Sequence, residues 1–276
     1  MSLENFSIPT LTLLGEGAFG KVYCARGPIR NREIALKVIA KEGADESADV
    51  KQDVKQEVQI LTSLSDHANI LQLHSYFADE RSIYFVLELL PGGSLYDHEK
   101  PLSADMAARF ILDICNGLSH CHRHNIIHRD LKSENLMLAS DGRVKIIDFG
   151  LATFVGEHGN STLLTICGSV LYQSPEMLKA RYKGEKYGYS VDIWSMGVLL
   201  FELLAKDDLL PFGGSNQSDR QVWDSILNLD IQWPEEGVFS DCARDLISKL
   251  LVTDPSKRLP LEDITTHVFI QENLAN

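Results

Sequence analysis

One stretch of the sequence concentrates side chains that can bind a cation or move a proton. They are Asp130, Lys132, Asn135 and Asp148. Short apolar runs at 136–138 and 144–147 flank an Asp-Gly dipeptide, a pattern that predicts a β-hairpin. Such a hairpin places Asn135 and Asp148 at the ends of two paired strands, where an amide oxygen and a carboxylate suit a hard cation such as Mg²⁺. Asp130 precedes the hairpin and is free to act as a base.

Two motifs run through this stretch: His-Arg-Asp-Leu-Lys at 128–132 followed by Asn135, and Asp-Phe-Gly at 148–150. Ordinary turn residues would account for either motif alone but fit both together poorly. The two motifs together resemble the catalytic core of eukaryotic protein kinases, and the resemblance extends over residues 6–269. It supplies the residue roles that follow, each carried over from the matching position in that family.

The resemblance implies an α+β, two-lobed protein-kinase fold. Residues 1–90 would form a nucleotide-binding N-lobe, with a five-stranded antiparallel sheet and the helix that the family calls αC. Residues 91–276 would form a mainly helical C-lobe with the catalytic loop, the activation segment and the peptide-binding surface. A Pro-Gly-Gly linker at 91–93 is typical of such a boundary. The segment from this linker to a helix beginning at Ser103 is a few residues shorter than is usual in the family.

Gly15, Gly17 and Gly20 would let backbone N–H groups approach phosphate oxygens closely, because no Cβ intervenes. A dinucleotide-binding loop needs a helix after its last glycine, whereas residues 22–25 are rich in strand formers. The pattern therefore favours a strand-loop-strand flap over phosphates, with a plain glycine-bearing hairpin as the alternative.

Lys37 lies within a predicted buried strand, residues 34–39, and needs a carboxylate partner if it reaches inward. An amphipathic helix follows, and Glu57 projects from its apolar stripe, which predicts an ion pair with Lys37 because a lone carboxylate there is costly to desolvate. The alternative is a glutamate at the rim of the helix, in water.

The resemblance implies that ATP and Mg²⁺, or Mn²⁺ in its place, bind between the lobes. Backbone groups of Glu88 and Leu90 would contact the adenine, with Leu87 at the gatekeeper position. The residues assigned to catalysis are Lys37, Glu57, Asp130, Lys132, Asn135 and Asp148. The residues assigned to nucleotide binding are Gly15, Glu16, Gly17, Gly20, Val22, Ala35, Lys37, Glu88, Leu90, Glu134, Asn135 and Asp148. Asn135 and Asp148 would be the metal ligands.

The formal net charge of −13 argues against nucleic acid or an anionic membrane as the main partner and is compatible with basic peptide substrates. No long uncharged apolar run or signal-peptide pattern is present. The five cysteines form no CxxC pair and are typical of reduced thiols in a cytoplasmic or nuclear protein. An activating partner or upstream kinase is not identified by the sequence.

Residues 148–176 match an activation segment in length, and Ser-Pro-Glu at 174–176 stands where the family has Ala-Pro-Glu. Lys132 and Ser169 match positions that distinguish serine/threonine kinases from tyrosine kinases. The resemblance also gives Asp192 the role of holding the catalytic-loop backbone, and pairs Glu176 with Arg258.

Glu134 and Glu202 match positions that, in basophilic relatives, bind an arginine two residues before the acceptor. The predicted substrates are therefore proteins or peptides with basic residues there, although an exposed loop glutamate is also commonly only solvated. Ser94 replaces an acid that many such enzymes use for an arginine one position earlier.

Two other functions share part of this pattern with an active kinase. A pseudokinase would bind partners without phosphoryl transfer, but every expected catalytic position is filled. A small-molecule kinase with the same fold would not require the Ser-Pro-Glu segment or the Gly-Ser pair at 168–169. Within the family, the linker and the Thr-Ile-Cys-Gly-Ser run at 165–169 resemble Aurora-like and calcium/calmodulin-kinase-group enzymes.

Thr165 lies at the family's phosphorylation position, but the cationic pocket for a phosphate is thin. Arg129 is present, whereas the other usual basic positions carry Thr153 and either Asp53 or Gln56. If phosphorylation nevertheless orders the segment through Arg129, Thr165→Ala should lower kinase activity at least about tenfold. Turnover of a serine peptide checks this, and an unchanged rate in the variant would rule out control through Thr165.

Overall fold

A computed structural model of the protein describes residues 7–17, 20–26, 33–41, 48–156, 170–184, 186–206, 209–214 and 217–275. Thr165 and Ser169 lie outside these described residues, as does the tip of the glycine-bearing flap at 18–19. Among the helices that are described, none combines the length and the apolar character needed to cross a bilayer.

The N-terminal part is built on one antiparallel sheet. Its strands are β1 (Ser7–Gly17), β2 (Gly20–Arg26), β3 (Glu33–Ala40), β4 (Leu73–Ala78) and β5 (Ser82–Glu88), with helix α1 (Ala48–Ser63) between β3 and β4. Their order across the sheet is β1-β2-β3-β5-β4, and all neighbours are antiparallel. The predicted five-stranded antiparallel sheet with one helix is thus confirmed. A strand, not a helix, follows Gly20, as the strand formers at 22–25 predicted.

The C-terminal part is mainly helical, as predicted. Its elements are α2 (Ala104–Arg123), β6 (Ile126–Ile127), β7 (Leu136–Leu138), β8 (Val144–Ile146), β9 (Thr153–Phe154), α3 (Pro175–Lys183), α4 (Ser190–Leu204), α5 (Asp219–Asn228), α6 (Asp241–Leu250), α7 (Leu261–Ile264) and α8 (Val268–Leu274). The hairpin predicted around Asp-Gly is formed by β7 and β8, with Leu136 opposite Ile146.

Helix α4 lies at the centre of the helical part, and its residues 191–204 are buried on every side. A helix that is apolar all round belongs in a core, and only two acids, Asp192 and Glu202, interrupt it. Gly197 allows close approach of α6, because a Cβ there would lie 2.8 Å from the Cβ of Leu250. Both buried acids must then find partners within the protein.

The polypeptide that joins the sheet to the helical part is fixed against the hairpin. The amide of Gly92 donates to the carbonyl of Leu138 at 3.0 Å. A Cβ on Gly92 would lie 2.5 Å from the Cβ of Leu138, so a larger residue would push the two segments apart. Gly93 has φ +76°, a conformation that glycine adopts without strain. These contacts explain the two glycines of the linker, while the division at residues 90 and 91 stays a prediction.

The apolar residues near Ile70 to Phe77 predict a strand, but β4 begins at Leu73. Residues 69–71 instead pair with the hairpin: the amide of Leu71 donates to the carbonyl of Ile146, and the amide of Ile146 donates to the carbonyl of Asn69. The apolar run therefore pairs with two different elements. Its first residues connect the sheet to the hairpin of the helical part, and its later residues form β4 beside β5.

Candidate active site

A cavity of about 630 Å³ lies where the sheet meets the helical part, a volume suited to a small-molecule ligand. Its wall includes all six residues predicted to be catalytic: Lys37, Glu57, Asp130, Lys132, Asn135 and Asp148. It also includes most of the predicted nucleotide-binding set, namely Gly15, Gly20, Val22, Ala35, Glu88, Leu90 and Glu134. Glu16 is not among the described residues of this wall and forms an exposed ion pair with Lys21 instead.

Leu87, at the predicted gatekeeper position, also lines the cavity, and the rest of the described wall is apolar and was not predicted. These residues are Leu14, Leu61, Leu71, Leu89, Met137, Ile147 and Leu151. They lie on different elements and have no polar group that could mark them as part of a site. In the sequence they differ from other core residues only in being close to residues predicted for the site. Leu61 is the exception, since it belongs to the same helical stripe as Glu57.

The predicted ion pair between β3 and α1 is present. Lys37 Nζ lies 2.6 Å from Glu57 Oε1, and the two side chains are only 12% and 7% exposed. The Lys37 ammonium also lies 5.5 Å from the centre of the Phe85 ring. Burial raises the pKa of the Glu57 carboxyl, and the lysine opposes this rise. The glutamate is therefore not a solvated rim residue.

Helix α1 is held in place from a second direction. Gln56 Nε2 donates to the carbonyl of Ala152 at 2.8 Å. Ala152 follows the Asp-Phe-Gly motif, so this bond joins the helix that carries Glu57 to the chain that carries Asp148. Gln56 is one of the two α1 residues that stand where the resemblance leads one to expect a basic side chain, and here its amide makes a backbone contact.

The residues of the predicted catalytic loop converge on one carboxylate oxygen. Lys132 Nζ lies 3.2 Å from Asp130 Oδ2. Asn135 Nδ2 donates to the same oxygen at 2.8 Å and to the backbone carbonyl of Asp130, also at 2.8 Å. Both side chains contact Oδ2, so Oδ1 is the oxygen of the Asp130 carboxylate that neither of them engages.

The oxygen atoms available here suit a hard divalent cation. Asn135 Nδ2 donates to Asp130, so Asn135 Oδ1 is the side-chain atom that could bind a cation. The amide of Ile147 donates to the Asn135 carbonyl at 2.9 Å, which places Asp148 beside Asn135. Within the described residues, no cluster of three or more His, Cys, Asp or Glu could hold a metal by itself. One carboxylate and one amide suit a hard divalent cation that keeps several waters and binds phosphate oxygens as well.

Asp192 holds the backbone of the catalytic loop, as predicted. Its carboxylate accepts hydrogen bonds from the amide of His128 at 3.1 Å and the amide of Arg129 at 2.9 Å. His122 Nε2 lies 2.8 Å from the same carboxylate. Full burial alone would raise the pKa of Asp192, but the hydrogen bond and charge of His122 and the loop contacts outweigh it and lower the pKa. The ionised carboxylate thus holds the backbone of the catalytic loop in place.

The predicted pair of Glu176 and Arg258 is also present. The guanidinium binds the carboxylate in a bidentate manner, with Nη1–Oε1 2.5 Å and Nη2–Oε2 2.7 Å. Arg258 further donates to the carbonyl of Ser190 and lies 5.1 Å from the Trp194 ring. This pair fixes the start of α3, directly after the segment predicted to control activity, onto helix α4.

The two carboxylates predicted to bind a substrate arginine differ in environment. Glu134 is exposed, whereas Glu202 is buried and contacts Lys100, Ser133 and Tyr172. The sequence did not predict these partners of Glu202. Burial, followed by the neighbouring Glu202 carboxylate, raises the pKa of Tyr172 well above its usual value, so Tyr172 stays protonated and donates.

Comparison with known proteins agrees with this geometry. Residues 9–270 match the family model described as a protein kinase domain. The sequence is 38% identical over 261 residues to "Aurora/IPL1-related protein kinase 2" of Caenorhabditis elegans, a match that covers 94% of this chain and 81% of the relative.

Two further relatives are similar to the same extent. "Serine/threonine-protein kinase Aurora-1" of Arabidopsis thaliana is 37% identical over 263 residues, with 94% of this chain and 85% of the relative covered. "Aurora kinase B" of Mus musculus is 34% identical over 280 residues, with 99% of this chain and 75% of the relative covered.

The buried pair of Glu176 and Arg258 should contribute strongly to stability. Arg258→Met leaves the Glu176 carboxylate without its guanidinium and is expected to lower the free energy of unfolding by about 3–5 kcal/mol. Urea unfolding followed by tryptophan fluorescence measures this, because all three tryptophans lie in the helical part. Arg143→Met, which removes an exposed pair with Asp141, is the control and should not shift the midpoint. Equal midpoints for the two variants would contradict the role of the buried pair.

Proposed function

The chain belongs to the protein kinase family and is similar in sequence to Aurora serine/threonine kinases, and from that premise we propose which of its residues carry out the transfer. The reaction moves the γ-phosphoryl group of ATP to a serine or threonine hydroxyl of a protein. Family membership implies ATP and a divalent metal ion in general. The finer assignments that follow are proposed from the geometry of the cavity.

One observation carries the proposal: three kinds of group line the same cavity. Lys37 supplies a positive charge held by Glu57, Asp148 and Asn135 supply oxygens for a cation, and Asp130 supplies a carboxylate. The reaction requires three tasks: a triphosphate is bound, a metal ion is coordinated and a proton is accepted.

The nucleotide is proposed to lie with its adenine at the linker and its phosphates under the β1–β2 flap. Backbone groups of Glu88 and Leu90 would meet the adenine edge, and Val22 and Ala35 would pack on its faces. Gly15, Gly17 and Gly20 would bring backbone amides close to the phosphates, which needs the missing Cβ of glycine, and the backbone amide of Glu16 is proposed to join them. Gly20 has φ +133°, and a Cβ there would lie 2.2 Å from the Val38 carbonyl oxygen, so strand β3 by itself requires glycine at this position.

The chemistry is mainly positioning and charge stabilisation. Lys37 neutralises the α- and β-phosphates. Asp130 Oδ1 orients the acceptor hydroxyl and takes its proton late, while Lys132, held at 3.2 Å from Oδ2, stabilises charge on the moving γ-phosphoryl group. Asn135 and Asp148 would hold Mg²⁺, or Mn²⁺ in its place, and the bound metal would neutralise charge on the phosphate oxygens.

The substrates are proposed to be proteins with basic residues before the acceptor. Glu134 is exposed beside the catalytic loop, and the net charge of −13 favours positively charged peptides. Nucleic acids and membranes are not proposed as partners, and the cytoplasm or nucleus is proposed as the location. A pseudokinase remains the alternative, and nothing in the cavity favours it, since every catalytic position is filled.

Asp148→Asn tests the proposed metal ligand. Loss of this charge should lower kcat by at least about 10²-fold, because the cation that neutralises the phosphates would lose its proposed carboxylate ligand. Transfer from labelled ATP to a serine peptide measures it. Asp141→Asn changes an exposed acid at the turn of the same hairpin, where Asp141 contacts Arg143, and should leave kcat unchanged. Wild-type turnover in Asp148→Asn would contradict the assignment of Asp148 as a metal ligand. If the wild type bound ATP without transferring its phosphoryl group, the pseudokinase would be favoured.

An oriented peptide library tests the proposed substrate class. Arginine two residues before the acceptor should be favoured over alanine, but by no more than about fivefold, because one exposed carboxylate is screened by water. The preference should weaken as salt is added. A profile that is flat at this position, or that favours acidic residues, would contradict it.

A further inference from the structure

Helix α4 carries a buried carboxylate beside the catalytic loop that already has a cation from the same chain. Lys100 Nζ lies 2.5 Å from Glu202 Oε1, and both side chains are only 4% exposed. We propose that Lys100 is a built-in occupant of this carboxylate, so that a basic substrate side chain is excluded from Glu202 and is recognised by Glu134 alone. The proposal rests on the proposed function and adds a residue that determines its substrate selectivity.

The position of Glu202 explains why its occupancy matters for substrates. Ser133 Oγ lies 2.8 Å from Glu202 Oε1 and 3.4 Å from Glu134 Oε2. One hydroxyl therefore lies between the exposed and the buried carboxylate, and that hydroxyl is next in sequence to Lys132. Without the lysine, the two carboxylates would form one acidic site at the edge of the catalytic loop.

The Lys100 ammonium lies just below the protein surface. It is 5.4 Å from the centre of the Tyr96 ring, and Tyr96 is 52% exposed. The ion pair therefore lies close to an aromatic side chain that is itself half exposed to solvent. A side chain without the ammonium at this position would leave Glu202 without its cation close to this exposed ring.

The backbone keeps Lys100 in this place. The segment between the linker and α2 is short, and the amide of Leu102 donates to the carbonyl of Leu203 at 2.8 Å. That bond ties the segment to the residue that follows Glu202. A tethered ammonium has a high effective concentration at its partner, so a substrate arginine arriving from solution cannot compete with it.

A purely structural ion pair is the alternative. In that case Lys100 would stabilise the fold, and its removal would change stability without changing the choice of peptide. The two interpretations differ in selectivity, measured as the ratio of kcat/KM for peptides with arginine or alanine two residues before the acceptor.

The experiment measures this ratio and, separately, the Kd of each peptide by fluorescence anisotropy. Lys100→Ala should raise the arginine-to-alanine ratio at least about tenfold above wild type, because an arginine can then make charge-assisted hydrogen bonds to both carboxylates. Lys257→Ala removes an exposed lysine that pairs with Asp254 and should leave the ratio unchanged. An unchanged ratio in a folded Lys100→Ala protein would overturn the proposal.

A second comparison does not depend on the folding of the single variant Lys100→Ala, which leaves Glu202 unpaired. Glu134→Gln should abolish the arginine preference, whereas the neutral pair Lys100→Met with Glu202→Gln should keep the wild-type ratio, since Glu202 is already occupied. Loss of the preference in the neutral pair would show that substrates reach Glu202 in the wild type and would overturn the proposal. The Kd values distinguish failure of this proposal from failure of the proposed function. If Lys100→Ala binds the arginine peptide selectively but transfers no phosphoryl group, Lys100 does occupy Glu202 in the wild type and the kinase assignment is wrong.

Discussion

A carboxylate that is removed from water must find a cation or hydrogen-bond donors, and four such acids organise this protein. Glu57 fixes α1 against the sheet, Asp192 fixes the catalytic loop, Glu176 fixes the start of α3, and Glu202 fixes the segment before α2. Each acid joins elements that are distant in the sequence. The partners of these acids therefore determine where the cavity lies and which side chains face it.

Such pairing also supports backbone that is otherwise unfavourable. Arg129 and Asp148 have φ values of +70° and +57°, a region that residues with a Cβ seldom occupy. The Asp192 carboxylate holds the amide of Arg129, and Arg129 Nε donates to the carbonyl of Leu151 at 2.6 Å. The loop that carries Asp130 is thereby joined to the chain that carries Asp148. The surrounding contacts hold both residues in these conformations, which orient the two carboxylates toward one cavity.

The sequence predicted those parts of the site that repeat with a known period or lie close together. Glu57 was identified from the helical stripe around it, and Asn135 and Asp148 from a hairpin that an Asp-Gly turn specifies. Lys100 could not be found in this way, because it lies in an irregular segment 102 positions from Glu202. A glutamate inside the apolar α4 signals that a partner exists but not which one. The start of β4 was misplaced for a similar reason, since Ile70 pairs with the hairpin.

The difference between Glu134 and Glu202 follows from where each charge is neutralised. A carboxylate that waits for a substrate must stay near water while it is empty, as Glu134 does. A fully buried carboxylate cannot stay unpaired until a substrate binds, because its desolvation would destabilise the folded protein whenever no substrate is bound. A tethered lysine removes this dependence, at the expense of a strong contact with the peptide. Selectivity is a difference between two affinities, so filling one of two neighbouring carboxylates lowers discrimination between peptides while the fold around the catalytic loop stays complete.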